Sequence, residues 1–154
     1  MSGPPMIEIA LYEPDIPPNT GTILRMAACL GVAVSVIEPV GFTWSDRSFR
    51  RAGLDYRDRA RIFRHDSFPA FRNAAEGRRL VLMTTRATLP YWDFAFRPDD
   101  ILLMGRETGG VPDDVHATAA ARLVIPLEPG FRSLNVAVAC AMVLGEALRQ
   151  TRQT

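Results

Sequence analysis

The sequence contains no lysine, and all 18 of its basic residues are arginines. A phosphate loop of the common nucleotide-hydrolysing type needs a lysine followed by serine or threonine, so no such site is expected here. Cysteine and histidine are also scarce, with two of each among 154 residues. Cys29 and Cys140 stand among apolar residues at helical spacing, with no partner at metal-ligand spacing. We therefore expect buried thiols and neither a disulfide nor a metal site.

Long hydrophobic runs are missing as well. No apolar run approaches the roughly 20 residues of a membrane-spanning helix. The first residues, 1–5, have neither the basic region nor the apolar core of an export signal. These observations predict a cytoplasmic protein. The length fits one domain, which we expect to span residues 1–154 with a flexible segment at 1–6.

The net charge of +1 hides an uneven distribution of charge. Residues 47–64 hold seven arginines against two aspartates, a local charge of +5. Two interpretations are open for this cluster: a solvated helix face, or a surface that follows the phosphates of a nucleic acid. On the second interpretation, the candidate RNA-binding residues are Arg47, Arg50 and Arg51.

Short apolar runs alternate with segments of helical spacing along the whole chain. This alternation predicts an α/β fold, a mostly parallel sheet with helices on both faces. The predicted strands are 7–12, 33–37, 61–63, 80–84, 101–104 and 123–125.

Four helices are predicted from the same spacing and from end signals. The first ends at Gly31, a second covers 46–54, a third covers 67–75 with Ser67 as its N-cap, and the last covers 134–149. The last helix is rich in small apolar residues. It is therefore expected to pack closely against another helix, from this chain or from a second subunit.

Polar residues follow the first predicted strand. Asn19 lies where the turn passes into a helix, and Arg25 follows six residues later. One interpretation is an ordinary helix cap plus a solvated arginine. The other is an amide and a guanidinium directed at one phosphate-bearing substrate.

Three later loops, 82–86, 104–112 and 125–135, follow predicted strands. Glycines at 105, 109 and 110 allow close approach of a ligand and surround Glu107. Their spacing does not fit a dinucleotide fingerprint. Ser133 and Asn135 either cap the last helix or belong to a site. No histidine lies in these loops, so a serine nucleophile is disfavoured.

Taken together, these segments resemble the three motifs of the SPOUT-superfamily RNA ribose 2′-O-methyltransferases. Within that superfamily the sequence is most similar to the small bacterial tRNA methyltransferases that act on the wobble nucleotide, cytidine or uridine 34. The resemblance covers about residues 7–150. The segments that carry it are Asn19-Thr20-Gly21 with Arg25, Gly105 to Gly110, Ile125-Pro126-Leu127 and Ser133-Leu134-Asn135, together with 11–14, 37–39, 41–42 and 50–56.

The resemblance implies a C-terminal trefoil knot whose loops hold S-adenosylmethionine. It also implies tRNA as substrate, S-adenosylhomocysteine as product, no metal, and a homodimer through the first-motif helix and the last helix. The alternatives are methylation of ribosomal RNA and a catalytically silent RNA-binding module. Carried over, the cofactor-binding residues are Met83, Gly105, Ile125, Leu127 and Ser133.

The same resemblance gives Arg25 the central catalytic role, often described as that of the base. Because a guanidinium keeps its proton, we prefer a role in gripping the phosphate and stabilising the developing alkoxide. Asn19, Ser133 and Asn135 would orient the ribose, and Glu107 would organise the second loop. Two positions depart from the family pattern, Ala137 in place of a serine and Gly145 in place of a tyrosine.

Overall fold

The computed structural model describes residues 6–43 and 61–152, and within them seven strands form one sheet in which all pairs are parallel. The order across the sheet is β3-β2-β1-β6-β4-β7-β5. The strands are β1 (Glu8–Tyr12), β2 (Ala33–Ile37), β3 (Ile62–His65), β4 (Leu80–Met83), β5 (Leu89–Pro90), β6 (Ile101–Met104) and β7 (Ala121–Val124). The helices are α1 (Pro17–Leu30), α2 (Phe68–Ala74), α3 (Asp113–Thr118) and α4 (Val136–Thr151), with a 3-10 turn at Tyr91–Asp93.

Helices cover both faces of this sheet. Ile9 and Leu11 of β1 belong to the core formed with α1 and α4, whereas Ala10 and Tyr12 belong to the core formed with α2 and α3. Successive side chains of a strand point to opposite faces, so a strand buried on both faces is apolar throughout. The predicted α/β class, parallel sheet and two-sided helix layer are confirmed.

The strand predictions are accurate where burial is complete on both faces. Ala33–Ile37 and Ile101–Met104 agree residue for residue, and their side chains are buried with little exception. The prediction 123–125 is displaced, because β7 begins at Ala121 and includes Arg122, which a hydropathy pattern passes over. The two-residue strand β5 is missed, since it is short and contains Pro90.

Helix ends follow local capping signals. Gly31 ends α1 with φ of 70°, as predicted, because glycine adopts this left-handed conformation without strain. Ser67 caps α2 by accepting a hydrogen bond from the Ala70 amide, also as predicted. α1 begins at Pro17, so Asn19 lies inside its first turn and not at the cap, which corrects the prediction. The predicted helix 46–54 and residues 1–5 lie outside the described residues.

The two cysteines have different environments. Cys140 is fully buried on α4, and burial raises the pKa of its thiol to about 12. Cys29 is exposed on α1, so the prediction of a buried thiol is wrong there. The buried Ala27 is two residues earlier, about 200° around the helix, which places Cys29 on the side away from the core. Among the residues described, no helix is long and apolar enough to cross a membrane.

A buried ion pair joins β4 to the start of β6. Asp100 is fully buried, and its carboxylate accepts hydrogen bonds from Nε and Nη2 of Arg79, each at 2.7 Å, and from the Arg97 amide at 2.8 Å. Asp100→Ala should lower the free energy of unfolding by about 1–3 kcal/mol, because the Arg97 amide and the partly buried Arg79 guanidinium would lose their acceptor. Urea denaturation measures the effect. The exposed Glu76→Ala control should stay within about 0.5 kcal/mol of wild type, and an equally small effect at Asp100 would contradict the assignment.

Candidate active site

The carboxyl ends of β4, β6 and β7 open into one pocket of about 820 Å³. The three loops singled out in the sequence line it together, with Ile16 and Asn19 from the start of α1 on another side. In parallel α/β sheets, ligands bind at this edge because the loops after neighbouring strands meet there. Eight of the predicted site residues lie in the lining: Asn19, Met83, Gly105, Glu107, Ile125, Leu127, Ser133 and Asn135.

The loop after β6 is a tight turn held by its own backbone. The amides and carbonyls of Arg106 and Gly110 exchange hydrogen bonds of 3.1 and 2.9 Å. A Cβ added to Gly105 would lie 2.9 Å from the Gly110 backbone, so only glycine fits there. The Arg106 guanidinium lies 3.6 Å from Glu13 and over the ring of Tyr12, which fastens this turn to the end of β1.

A reciprocal contact joins that turn to the segment before α1. The Asp15 amide donates to Oε2 of Glu107 at 3.2 Å, and the Glu107 amide donates to Oδ1 of Asp15 at 3.2 Å. The Thr108 hydroxyl donates to the other oxygen of Asp15. Asp15 was missed by sequence reasoning, because no local pattern links residues that are 92 positions apart.

The two carboxyl groups titrate as a pair. Burial, together with the hydrogen bond to Asp15, raises the pKa of Glu107 to about 7. Burial alone would raise the pKa of Asp15, but hydrogen bonds from Glu107 and Thr108 lower it overall. Below about pH 7 the pair therefore holds one proton, with Glu107 protonated and Asp15 as the carboxylate.

Asn135 joins the loop after β7 to the first turn of α1. Its Oδ1 accepts from the amides of Ala137 and Val138, which makes it the N-cap of α4. Its Nδ2 donates to Oδ1 of Asn19 at 2.9 Å. The sequence left open whether Asn135 caps the last helix or belongs to a site. The structure shows that it does both.

Arg25 does not line the pocket of its own chain. Its side chain is exposed on α1 and it is absent from the lining residues of the described chain. Six residues at about 100° each turn it roughly 120° away from Asn19 around the helix axis. Arg86 and Arg132 do line the pocket, and Arg86 pairs with Asp113 at 2.9 Å. Arg47, Arg50 and Arg51 lie outside the described residues.

The family follows from comparison with known proteins. A family model described as the SpoU rRNA methylase family matches residues 6–145. The chain belongs to this family. A relative from Beijerinckia indica subsp. indica, named tRNA (cytidine(34)-2′-O)-methyltransferase, is 67% identical over 144 residues, which cover 92% of this chain and 90% of that protein.

Solved structures agree with this placement. One, described as giving structural insights into the 2-OH methylation of C/U34 on tRNA, has a TM-score of 0.90 and 41% identity, covering 96% of this chain and 97% of that chain. Another, an AdoMet-bound rRNA methyltransferase from Sinorhizobium meliloti, has a TM-score of 0.83 and 27% identity, covering 94% of this chain and 56% of that chain. The SpoU-family fold is therefore shared along nearly the whole chain.

The shared proton makes stability depend on pH. Glu107 has a pKa of about 7 when folded and an ordinary value near 4.5 when unfolded, so its stabilising contribution is present at low pH and is lost as pH rises through 7. Asp15 shifts the opposite way, and its contribution is lost only at acidic pH. As pH is raised from 5 to 8, Tm of the wild-type protein should fall relative to Tm of Glu107→Gln. The glutamine amide donates a hydrogen bond at every pH, so the variant does not lose this contact. Glu76→Gln is the exposed control, and a pH-independent difference for Glu107→Gln would contradict the shared proton.

Proposed function

We propose that this protein transfers a methyl group from S-adenosylmethionine to the ribose 2′-hydroxyl of nucleotide 34 in tRNA, cytidine or uridine. The observation that carries the proposal is the joining of all three motif loops in one pocket, in a chain 67% identical to a relative bearing that name. A tRNA substrate is consistent with the cytoplasmic location expected from the sequence. The whole chain, residues 1–154, acts as one domain in this proposal.

The pocket suits S-adenosylmethionine. Its volume falls within the roughly 300–1,000 Å³ of small-molecule sites. Met83, Ile125 and Leu127 supply apolar surface for an adenine ring, and Gly105 lets the backbone approach without a side chain. The cofactor would supply an activated methyl group, with S-adenosylhomocysteine as the product.

The loops that hold the cofactor form a trefoil knot in this proposal. β7 lies between β4 and β5, which are joined by residues 84–88 only, and the Thr84 amide donates to the Leu123 carbonyl. The chain enters β7 from α3, on one face of the sheet, and leaves it for α4, on the other. A strand inserted between two strands that are already connected supports threading of the chain at this point.

The side chains around the pocket would position the ribose. Methyl transfer from a sulfonium is an in-line displacement, and positioning of the reacting atoms alone can contribute about 7–11 kcal/mol. Asn19 and Asn135 hold each other at 2.9 Å at the pocket wall, and the exposed Ser133 stands beside them. Glu107, through Asp15, keeps the second loop in place.

Arg25 would act on the pocket of a second copy of the chain. It is exposed on α1 and turned away from its own pocket. α4 packs against α1 and carries the exposed apolar side chains Val138 and Met142, and Leu30 is exposed on α1. A side chain added at Gly145 would meet nothing among the described residues. Apolar surface on two adjacent helices supports a homodimer through α1 and α4. There Arg25 would grip the phosphate and stabilise the developing alkoxide.

The RNA would also be held by phosphate contacts outside the pocket. Arg47, Arg50 and Arg51 remain the candidates for this role, on the strength of the local charge of +5. Ribosomal RNA as substrate and a silent RNA-binding module are the alternatives that the first experiment separates.

The proposed activity is tested with purified protein, labelled S-adenosylmethionine, and tRNA from cells that lack the enzyme. We expect methylation at the ribose of nucleotide 34, undiminished by EDTA, because displacement at a sulfonium needs no Lewis acid. Ribosomal RNA serves as the competing substrate. Methylation of ribosomal RNA in preference to tRNA would favour the first alternative, and S-adenosylmethionine binding without any transfer would favour the second.

The shared site is tested by mixing two inactive variants. Arg25→Ala should lose at least about 100-fold in kcat while its affinity for S-adenosylmethionine is kept. Gly105→Val should abolish cofactor binding by displacing the loop after β6, because its side chain would meet the Gly110 backbone at 2.9 Å. After mixing and re-equilibration, heterodimers would rebuild one intact site from the two chains, so roughly a quarter of all sites should regain activity.

No recovery in the mixture, although native mass spectrometry shows that heterodimers form, would place Arg25 on its own pocket. A fully active monomer would exclude the dimer altogether. Melting temperatures of the two variants alone report whether each is folded before mixing.

A further inference from the structure

An exposed aromatic ring stands at the rim of the pocket without a role in the site described above. Phe131 is 74% exposed, more than any other exposed large apolar side chain of the described residues. The next two residues, Arg132 and Ser133, line the pocket. Covering an exposed phenylalanine ring removes apolar surface from water, so a binding partner gains by contacting it.

The ring is presented by a well-defined turn. The Phe131 amide donates to the Glu128 carbonyl at 3.3 Å, with Pro129 and Gly130 between them. Gly130 has φ of 96°, and proline followed by a glycine at positive φ is the pattern of a type II turn. Proline restricts the backbone before folding as well, so presenting the ring costs little additional entropy on binding.

The position of the ring indicates what contacts it. A 2′-hydroxyl that reaches into the pocket brings its own base to the pocket rim, because base and hydroxyl are attached to neighbouring carbons of one ribose. Bases of single-stranded RNA stack on aromatic side chains. Arg132, next in the chain, adds a positive charge for the flanking phosphate. Phe131 directly precedes two lining residues, whereas the other strongly exposed aromatics of the described residues, Trp92 and Phe63, have no lining residue next to them in the chain.

We propose that Phe131 is the stacking platform for the base of the nucleotide being methylated. The proposal rests on the proposed function and adds to it a residue that contacts the substrate base. Stacking needs only the face of a base, so this contact binds cytidine and uridine alike and contributes affinity without choosing between them.

Three substitutions at this position separate stacking from simple apolar contact. Phe131→Ala should raise KM for tRNA by about 5- to 150-fold, since stacking is worth about 1–3 kcal/mol per base. Phe131→Leu should stay close to the alanine variant, and Phe131→Trp should be close to wild type. The Kd for S-adenosylmethionine, the dimeric state and Tm should not change. Trp92→Ala is the matched control, an exposed aromatic away from the pocket.

A tRNA ligated from two halves tests which base is involved. With an abasic ribose at position 34, which keeps the 2′-hydroxyl, wild type and Phe131→Ala should have the same KM. With an abasic ribose at position 35, the full difference should remain. This cycle measures the coupling between one side chain and one base.

Several outcomes would overturn the stacking role alone. The first is that Phe131→Ala is as active as wild type on intact tRNA. The second is that the difference in KM between the two proteins persists on the tRNA that is abasic at position 34. The third is that Phe131→Ala loses the dimer or its affinity for S-adenosylmethionine. Absence of methylation of intact tRNA by the wild-type protein would instead overturn the proposed function, and the stacking role with it.

Discussion

The exchange of hydrogen bonds between Asp15 and Glu107 is the contact on which the arrangement of the pocket depends. It holds the segment before α1 against the loop after β6, two parts of the chain that are 92 residues apart. Each carboxyl group accepts the backbone amide of the other residue, so neither loop can move without leaving a partly buried amide unpaired. Gly41 supports the same contact, because a Cβ there would lie 2.7 Å from the Asp15 side chain.

A second polar contact joins the loop after β7 to α1. Asn135 caps α4 with its oxygen and reaches Asn19 of α1 with its amide nitrogen, so the loop after β7 is tied to the same helix. The loops after β6 and β7 are thus joined to α1 and the segment before it by polar contacts around a pocket of about 820 Å³, which the loop after β4 also lines. These contacts keep the site close to one geometry before a ligand binds. A displacement reaction is accelerated by positioning only when the reacting groups are held in such a fixed geometry.

The pocket and the exposed surfaces around it carry different kinds of side chains. Inside, apolar side chains such as Met83, Ile125 and Leu127 lie beside Asn19 and Asn135, which are hydrogen-bonded to each other. At the rim, Phe131 and Arg132 offer an aromatic face and a charge, and on α1 and α4 lie Arg25 and an apolar surface. A single protomer therefore has a formed pocket, while Phe131 and Arg25 are exposed, where a nucleic acid and a second chain can reach them.

Burial explains which secondary-structure elements could be predicted from the sequence. Strands such as Ala33–Ile37 and Ile101–Met104 are buried at every position and apolar at all but Ser35, because helices cover both faces of the sheet, so their limits follow from composition. The helix stop at Gly31 and the cap at Ser67 are equally local, since each depends on one residue and its own backbone. The three loops could also be located from the sequence, because they follow predicted strands, and the family came from the resemblance of these segments to known motifs.

Other features were decided only when the chain folded. Asp15 became part of the site through contacts across 92 residues, and the pKa of Glu107 rose because burial and that partner acted together. Cys29 is exposed and Arg25 is turned from the pocket because the packing of α1 on the sheet selects which side of the helix faces inward. Local sequence determines the elements and their ends, since those depend on backbone preference and hydropathy. Which side chains meet across the pocket depends on the register and packing of distant segments, and these only the tertiary structure decides.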